Sequence, residues 1–162
     1  MEHASSSQFT KGFFEQFITS KESVACVEAN ATLTDAAQMM LKKHVGSLVI
    51  VDESSGKKNP IGMITDRDIT IESVAEELDP NTLSVSDVMT PSLATATLNE
   101  DIFSMIAKMK SEGVHRLPVI DETGELVGIV TSKKLVQCLL QGLNDLSALS
   151  NQQHQREKEI RH

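Results

Sequence analysis

The residues from Val24 to Asp52 recur from Leu93 to Asp121 at a constant offset of 69. Met40 falls on Met109, Val45 on Val114, Leu48 on Leu117 and Ile50 on Val119. The correspondence resumes at Gly62-Met63-Ile64-Thr65 over Gly128-Ile129-Val130-Thr131, now at an offset of 66. The three-residue difference sits in one turn, Glu53 to Pro60 against Glu122 to Leu126. A length change confined to a turn, with the apolar positions kept, marks one fold tolerating a longer loop. A duplicated unit of this size packs as a pseudo-symmetric pair, and ligands tend to bind between such halves.

Each repeat reads strand, helix, strand, strand, helix. In the first, Val24 to Val27 is a short strand. Thr32-Leu33-Thr34-Asp35 resembles a capping box with an acid in place of Glu. Leu33, Ala36, Ala37, Met40 and Leu41 follow at helical spacing, and Val45-Gly46 closes that helix. Ser47 to Val51 and Ile61 to Ile64 read as strands around a turn rich in Ser, Gly and Lys. Thr65 to about Leu78 is the second helix, which Asp79-Pro80-Asn81 breaks. The second repeat gives a strand at Leu93–Ala96, a helix at Ile102–Ser111 ended by Gly113, strands at Leu117–Ile120 and Leu126–Val130, and a helix starting at Leu135–Leu140. Leu139, Leu143, Leu146 and Leu149 extend that helix, although Gly142 and Asn144 weaken the pattern, and the polar residues 151–162 are expected to fray. Before the repeats, Phe9, Phe13 and Phe17 recur every four residues, so residues 9–19 read as a short amphipathic helix packed on the repeats or on a partner subunit. The expected division is a tail and short helix over 1–16, repeat 1 over 17–78, a linker over 79–84, repeat 2 over 85–142, and a helical, polar tail over 143–162. The fold class is α+β.

Composition narrows the function classes. A hydrophobic content of 40% supports a core, which without Trp or Tyr is aliphatic and rich in Met. The formal charge of −8 argues against a nucleic-acid polymer as partner, because neutralising phosphates needs a basic face. A small nucleotide held by a local basic cluster remains open. No apolar run is long enough to span a membrane, and the amino terminus has no basic region followed by an apolar core. Cys26 and Cys138 make neither a disulfide framework nor a metal pair. The expectation is a cytoplasmic protein with reduced thiols. There is no cysteine–histidine pair at useful spacing, no Walker loop and no metal-ligand cluster, so the chain is not expected to be an enzyme.

Three segments in this order, Gly62-Met63-Ile64-Thr65-Asp66-Arg67-Asp68, Val88-Met89-Thr90-Pro91 and Gly113-Val114-His115-Arg116-Leu117-Pro118-Val119-Ile120-Asp121, resemble a tandem pair of cystathionine β-synthase (CBS) domains, the Bateman module. The resemblance implies two β-α-β-β-α repeats packed sheet to sheet, and frequently a flat, disc-shaped homodimer.

Thr65 and Asp68 fit an N-cap and its box partner. In the family the same Gly-x-x-Thr-x-x-Asp pattern holds a ribose, and an ionised carboxylate accepts two hydrogen bonds, as a cis-diol requires. One residue can do both. Repeat 2 keeps Gly128 and Thr131 but has Lys134 at the acid position, and lysine accepts no hydrogen bond. The resemblance implies that His115, Arg116 and Lys133 face the inter-repeat cleft and meet a phosphate, Arg as a planar fork and Lys as a point charge. Each is also compatible with an ordinary surface or strand-end role. The positions matching His115 and Arg116 in repeat 1 are the uncharged Gly46 and Ser47. Ribose acceptors thus lie in one half and phosphate donors in the other. Met63 is a candidate to stack on the base, equally a core residue, and Val24–Cys26 a candidate for backbone bonds to it.

The reading is a stand-alone regulatory module that binds AMP, ADP or ATP and signals occupancy to a sister subunit or an unidentified regulated protein. The rivals are S-adenosylmethionine or NAD as ligand, and a ligand-free structural dimerisation module. No catalytic cofactor is expected.

Overall fold

The computed structural model describes residues 15–89 and 93–160, those from 150 onward through the backbone alone. Two sheets carry the fold. One has the order β2-β3-β4 (Cys26–Glu28, Ser47–Asp52, Asn59–Thr65) and the other the order β1-β7-β6-β5 (Thr19–Ser20, Leu126–Thr131, Arg116–Ile120, Ala96–Thr97). Within each, a parallel pair (β2 with β3, β5 with β6) is followed by an antiparallel hairpin (β3 with β4, β6 with β7). The expected α+β class and paired β-α-β-β-α units are what the chain forms.

The duplication extends to irregularities. The register of β3 against β4 slips between Ile50 and Val51, and that of β6 against β7 between Val119 and Ile120. These are matched positions in the two repeats. The longer turn of repeat 1 therefore leaves the bulge where it is, because both strands are fixed by burial on either side of it.

Helix α1 (Leu33–Lys43) starts at the expected capping box: Asp35 N donates to Thr32 Oγ1 (3.0 Å) and Thr32 N to Asp35 Oδ2 (3.1 Å). It ends at His44, whose left-handed φ of 53° takes the role that Gly113 (φ 66°) has after α4 (Ile102–Glu112). Leu33, Ala36, Met40, Leu48, Ile50 and Ile64 fill the core of repeat 1. Met105, Met109, Leu117, Val119, Val130 and Leu135 fill that of repeat 2.

The structure corrects several expectations. The second helix of repeat 1 does not reach Leu78. It runs as α2 (Asp66–Thr70) and then widens into a π-turn over Ile71–Ala75. Thr70 Oγ1 and Ser73 Oγ bond back to the carbonyls of Asp66 (2.8 Å) and Ile69 (2.6 Å), which loosens the ladder. Glu77 then turns left-handed at φ 55°. The last helix, α5 (Ser132–Ile160), begins earlier than expected and continues through Gly142 and the polar tail as one helix. Residues 9–14 of the expected Phe helix lie outside the described residues. Of its described residues, Glu15 is helical, and the chain then turns, with Ile18 N bonding Glu15 O (3.1 Å), before it enters β1.

β1 was not foreseen, nor was α3 (Val85–Val88), and together they cross-link the repeats. β1 opens repeat 1 yet pairs with β7 of repeat 2, and Phe17 and Ile18 pack on the repeat 2 core. Val85, Val88 and Met89 open repeat 2 yet pack on the repeat 1 core, where Val85 N bonds Ala31 O (2.8 Å). Gly128 serves this exchange, since a Cβ there would stand 2.6 Å from both Ile18 Cγ2 and Thr19 O. The sheets meet through Val49, Val51, Met63, Leu126 and Ile129, and Leu126 N bonds Lys58 O (2.8 Å) across the join. Among the described residues, no helix is long and apolar enough to cross a membrane.

Candidate functional site

Thr65 ends β4 and caps α2. Its hydroxyl accepts from Asp68 N (3.2 Å), and one Asp68 oxygen, Oδ2, accepts from both Thr65 N (2.8 Å) and Thr65 Oγ1 (2.7 Å). Asp68 is half-buried, and its other oxygen, Oδ1, has no partner among the described residues. The box thus locks the carboxylate and leaves one acceptor unused. Two further boxes, Thr32–Asp35 and Ser84–Asp87, show that this arrangement is first of all a way to start a helix. In those two the carboxylates are exposed, and hydrogen bonds from the Thr32 and Ser84 hydroxyls hold Asp35 and Asp87 below the usual carboxylate range.

Met63 lies two residues before Thr65 and so on the same side of β4. It is half-buried in the cluster between the sheets.

In repeat 2 the corresponding helix start is α5. Thr131 accepts from Lys134 N (3.3 Å), but no carboxylate closes a box. Arg116 stands opposite Thr131 in the β6–β7 register, as Ser47 stands opposite Thr65. Leu117 and Val119 point into the repeat 2 core, so Arg116 lies on the other side of β6. His115 lies just before β6, where its Nδ1 is 3.3 Å from Ser132 Oγ and its carbonyl accepts from Ser132 N (2.9 Å). In repeat 1 the sizes are exchanged: Gly46 faces Asp66, whose Oδ2 is 3.0 Å from where a Cβ would sit.

Arg116 is half-buried and Lys133 exposed, and neither has an acidic partner among the described residues. Lys133 and Lys134 occupy the first turn of α5, where the helix dipole already favours anions. Arg116, opposite Thr131, adds a third positive charge near that helix start. α2 has two acids, Asp66 and Asp68, in its first turn instead. Among the described residues, no hydrogen bond or ion pair joins Thr65 or Asp68 to His115, Arg116 or Lys133.

Two cavities open elsewhere. One of about 360 Å³ is lined by Glu28, Asn30, Asp52 and Glu53, among others. The second, of about 390 Å³, is lined by Lys21, Val24, Ala25, Cys26, Met39 and Lys58, among others. Val24–Cys26 therefore open on a space that Thr65 and Asp68 do not line. Lys21 there pairs with Glu125 and Lys58 with Glu53. Cys26 and Cys138 are free thiols, both pushed up by burial. Among the described residues, no three His, Cys, Asp or Glu side chains are grouped to hold a metal ion.

The model of the CBS domain family matches residues 17–74 and again 85–141. The chain belongs to the CBS domain family. Its two CBS repeats are 39% identical over 116 residues to Hypoxic response protein 1 of Mycobacterium tuberculosis, covering 72% of this chain and 78% of that one. The crystal structure of that type of protein, with two coordinated zinc ions, superposes with a TM-score of 0.66 at 35% identity, over 76% of this chain and 96% of that one. An uncharacterized protein of Methanopyrus kandleri, MK0525, is 34% identical over 106 residues, 65% of this chain but only 53% of its own length. The CBS-pair protein CBSX2 of Arabidopsis thaliana, solved in complex with AMP, shares the fold with a TM-score of 0.63 at 23% identity, over 78% of this chain and 94% of that one.

Proposed function

We propose that the chain is a regulatory module that binds an adenine nucleotide between its CBS repeats. Thr65 and Asp68 of repeat 1 hold the ribose. His115, Arg116 and Lys133 of repeat 2 hold the phosphates. The observation that carries this reading is the locked Asp68 carboxylate, with Oδ2 committed to Thr65 and Oδ1 left to accept. Cations without acidic partners at the start of α5 supply the complementary charge. The AMP complex of CBSX2 supports the reading at the level of the fold, which accommodates such a ligand.

A ligand that touches both repeats shifts their packing only by its preference for one arrangement. A sister subunit or a separate regulated protein reads that shift. The rival reading is a dimerisation scaffold without ligand, in which the Thr65–Asp68 box only starts α2, as the Thr32–Asp35 and Ser84–Asp87 boxes start their helices.

The test is calorimetry and thermal unfolding with AMP, ADP, ATP, NAD and S-adenosylmethionine. A ligand at a hundredfold excess over its Kd stabilises by about 2.7 kcal/mol. Asp68→Asn, which keeps a capping oxygen, and Arg116→Ser, which installs the repeat 1 residue, each remove that gain while leaving the ligand-free chain folded. No response to any of the five ligands, or an undiminished response in both variants, overturns the proposal.

A further inference from the structure

A duplicated chain that builds one composite site from its two halves owns a reciprocal place, because every matched position occurs twice. The nucleotide proposed above takes Thr65 and Asp68 from repeat 1 and His115, Arg116 and Lys133 from repeat 2. The counterparts are Thr131 and Lys134 from repeat 2, and Gly46, Ser47 and Arg67 from repeat 1. Of the phosphate-end counterparts, Arg67 alone carries a charge.

Asp66 decides what that end accepts. The two repeats build the same backbone there: Asp66 N donates to Gly46 O (3.1 Å), as Ser132 N donates to His115 O (2.9 Å). The side chains differ across that bond. In repeat 2 an imidazole stands beside a hydroxyl, with His115 Nδ1 3.3 Å from Ser132 Oγ. In repeat 1 the glycine leaves room and Asp66 leans into it, its Oδ2 3.0 Å from where a Gly46 Cβ would sit. Asp66 is exposed, and Arg67 N donates to its Oδ1 (2.8 Å), whereas Oδ2 has no hydrogen-bond partner among the described residues. A carboxylate therefore lies on the residue that matches His115, next to Arg67, and offsets the one cation at that end. The same acid suits the dipole of α2, a service that is blind to the charge of a ligand.

We infer, on the nucleotide reading above, that Asp66 shuts the reciprocal place to phosphates, so that each chain takes one nucleotide in one orientation. Lys134 withholds the ribose acceptor and Asp66 repels the phosphate, two separate locks on one place.

Titration calorimetry with ATP and with uncharged adenosine tests both locks. The unaltered chain binds one molecule of either. Lys134→Asp restores the ribose acceptor and admits a second adenosine. Its second ATP binds about tenfold or more weaker than that of Lys134→Asp/Asp66→Ser. The gap narrows in high salt and is missing with adenosine, which sets a charge effect apart from a change in helix stability. Two ATP per unaltered chain, a second ATP indifferent to Asp66→Ser, or no second adenosine on Lys134→Asp overturns the inference and leaves the first site standing. Failure of the unaltered chain to bind ATP and adenosine also overturns it, and the nucleotide reading falls as well only if AMP, ADP, NAD and S-adenosylmethionine fail too.

Discussion

The amino ends of α2 and α5 occupy the same place in the two repeats and are built to opposite electrical ends. Both follow a Gly-x-x-Thr strand end and are capped by that threonine. In repeat 1 the third residue on is Asp68, which closes a box; in repeat 2 it is Lys134, which cannot. Across the strand, repeat 1 has Gly46 and Ser47 where repeat 2 has His115 and Arg116. The backbone of the duplicated unit is thus preserved while its polar lining has diverged. A pair of helix starts that differ in charge can grip the two ends of one unsymmetrical ligand, which two identical ones cannot.

The largest effects should ignore this divergence. Leu48 and Leu117 are matched, fully buried core residues, so Leu48→Ala and Leu117→Ala should each cost about 2–5 kcal/mol in chemical denaturation. If one is far cheaper, the repeats are not equivalent as cores. A smaller, one-sided effect is expected at glycine. Gly128→Ala collides with the β1 backbone and should cost about 1–3 kcal/mol, whereas Gly46→Ala needs only the Asp66 side chain to swing and should be nearly neutral. Equal costs would break the contrast. Next, Lys134→Asp should complete the missing box on α5 and raise stability by about 1 kcal/mol. No gain would mean that Thr131 is not placed as Thr65 is.

The smallest effect is a pH dependence at α4. Its cap, Asp101, is held below the usual carboxylate range, chiefly by the Ser104 hydroxyl and by backbone N–H groups. A depressed folded value means that the contribution is present above the unfolded value of about 3.9 and is lost as pH falls through the folded one. Asp101→Asn should therefore flatten the acid limb of the stability curve. An unchanged limb would show that the cap is not ionised in its bonded form.

The duplication, the strand order within each repeat, the Thr32–Asp35 box and the Gly113 stop were legible in sequence because each is a local pattern. What escaped was settled by distant or silent partners. β1 is two residues long and exists because β7 offers an edge far along the chain. Val85 reads as the start of repeat 2 and is buried in repeat 1. The early end of α2 has no Gly to announce it, only Thr70, Ser73 and a left-handed Glu77. Gly142 weakens a helix in isolation, yet α5 runs through it. For the site, the residue types and their spacing were legible at Thr65, Asp68 and Arg116. That Asp68 keeps one oxygen unshared was not, since hydrogen-bond direction has no sequence signature.

The exchange of leading segments bears on inheritance. Severed between Asp79 and Thr82, the front fragment would lose Val85 from its interior, and the rear fragment would lose β1 from its sheet. Neither piece keeps both its interior and its sheet intact, so an exchange of one repeat for another would have to carry the neighbouring lead-in with it.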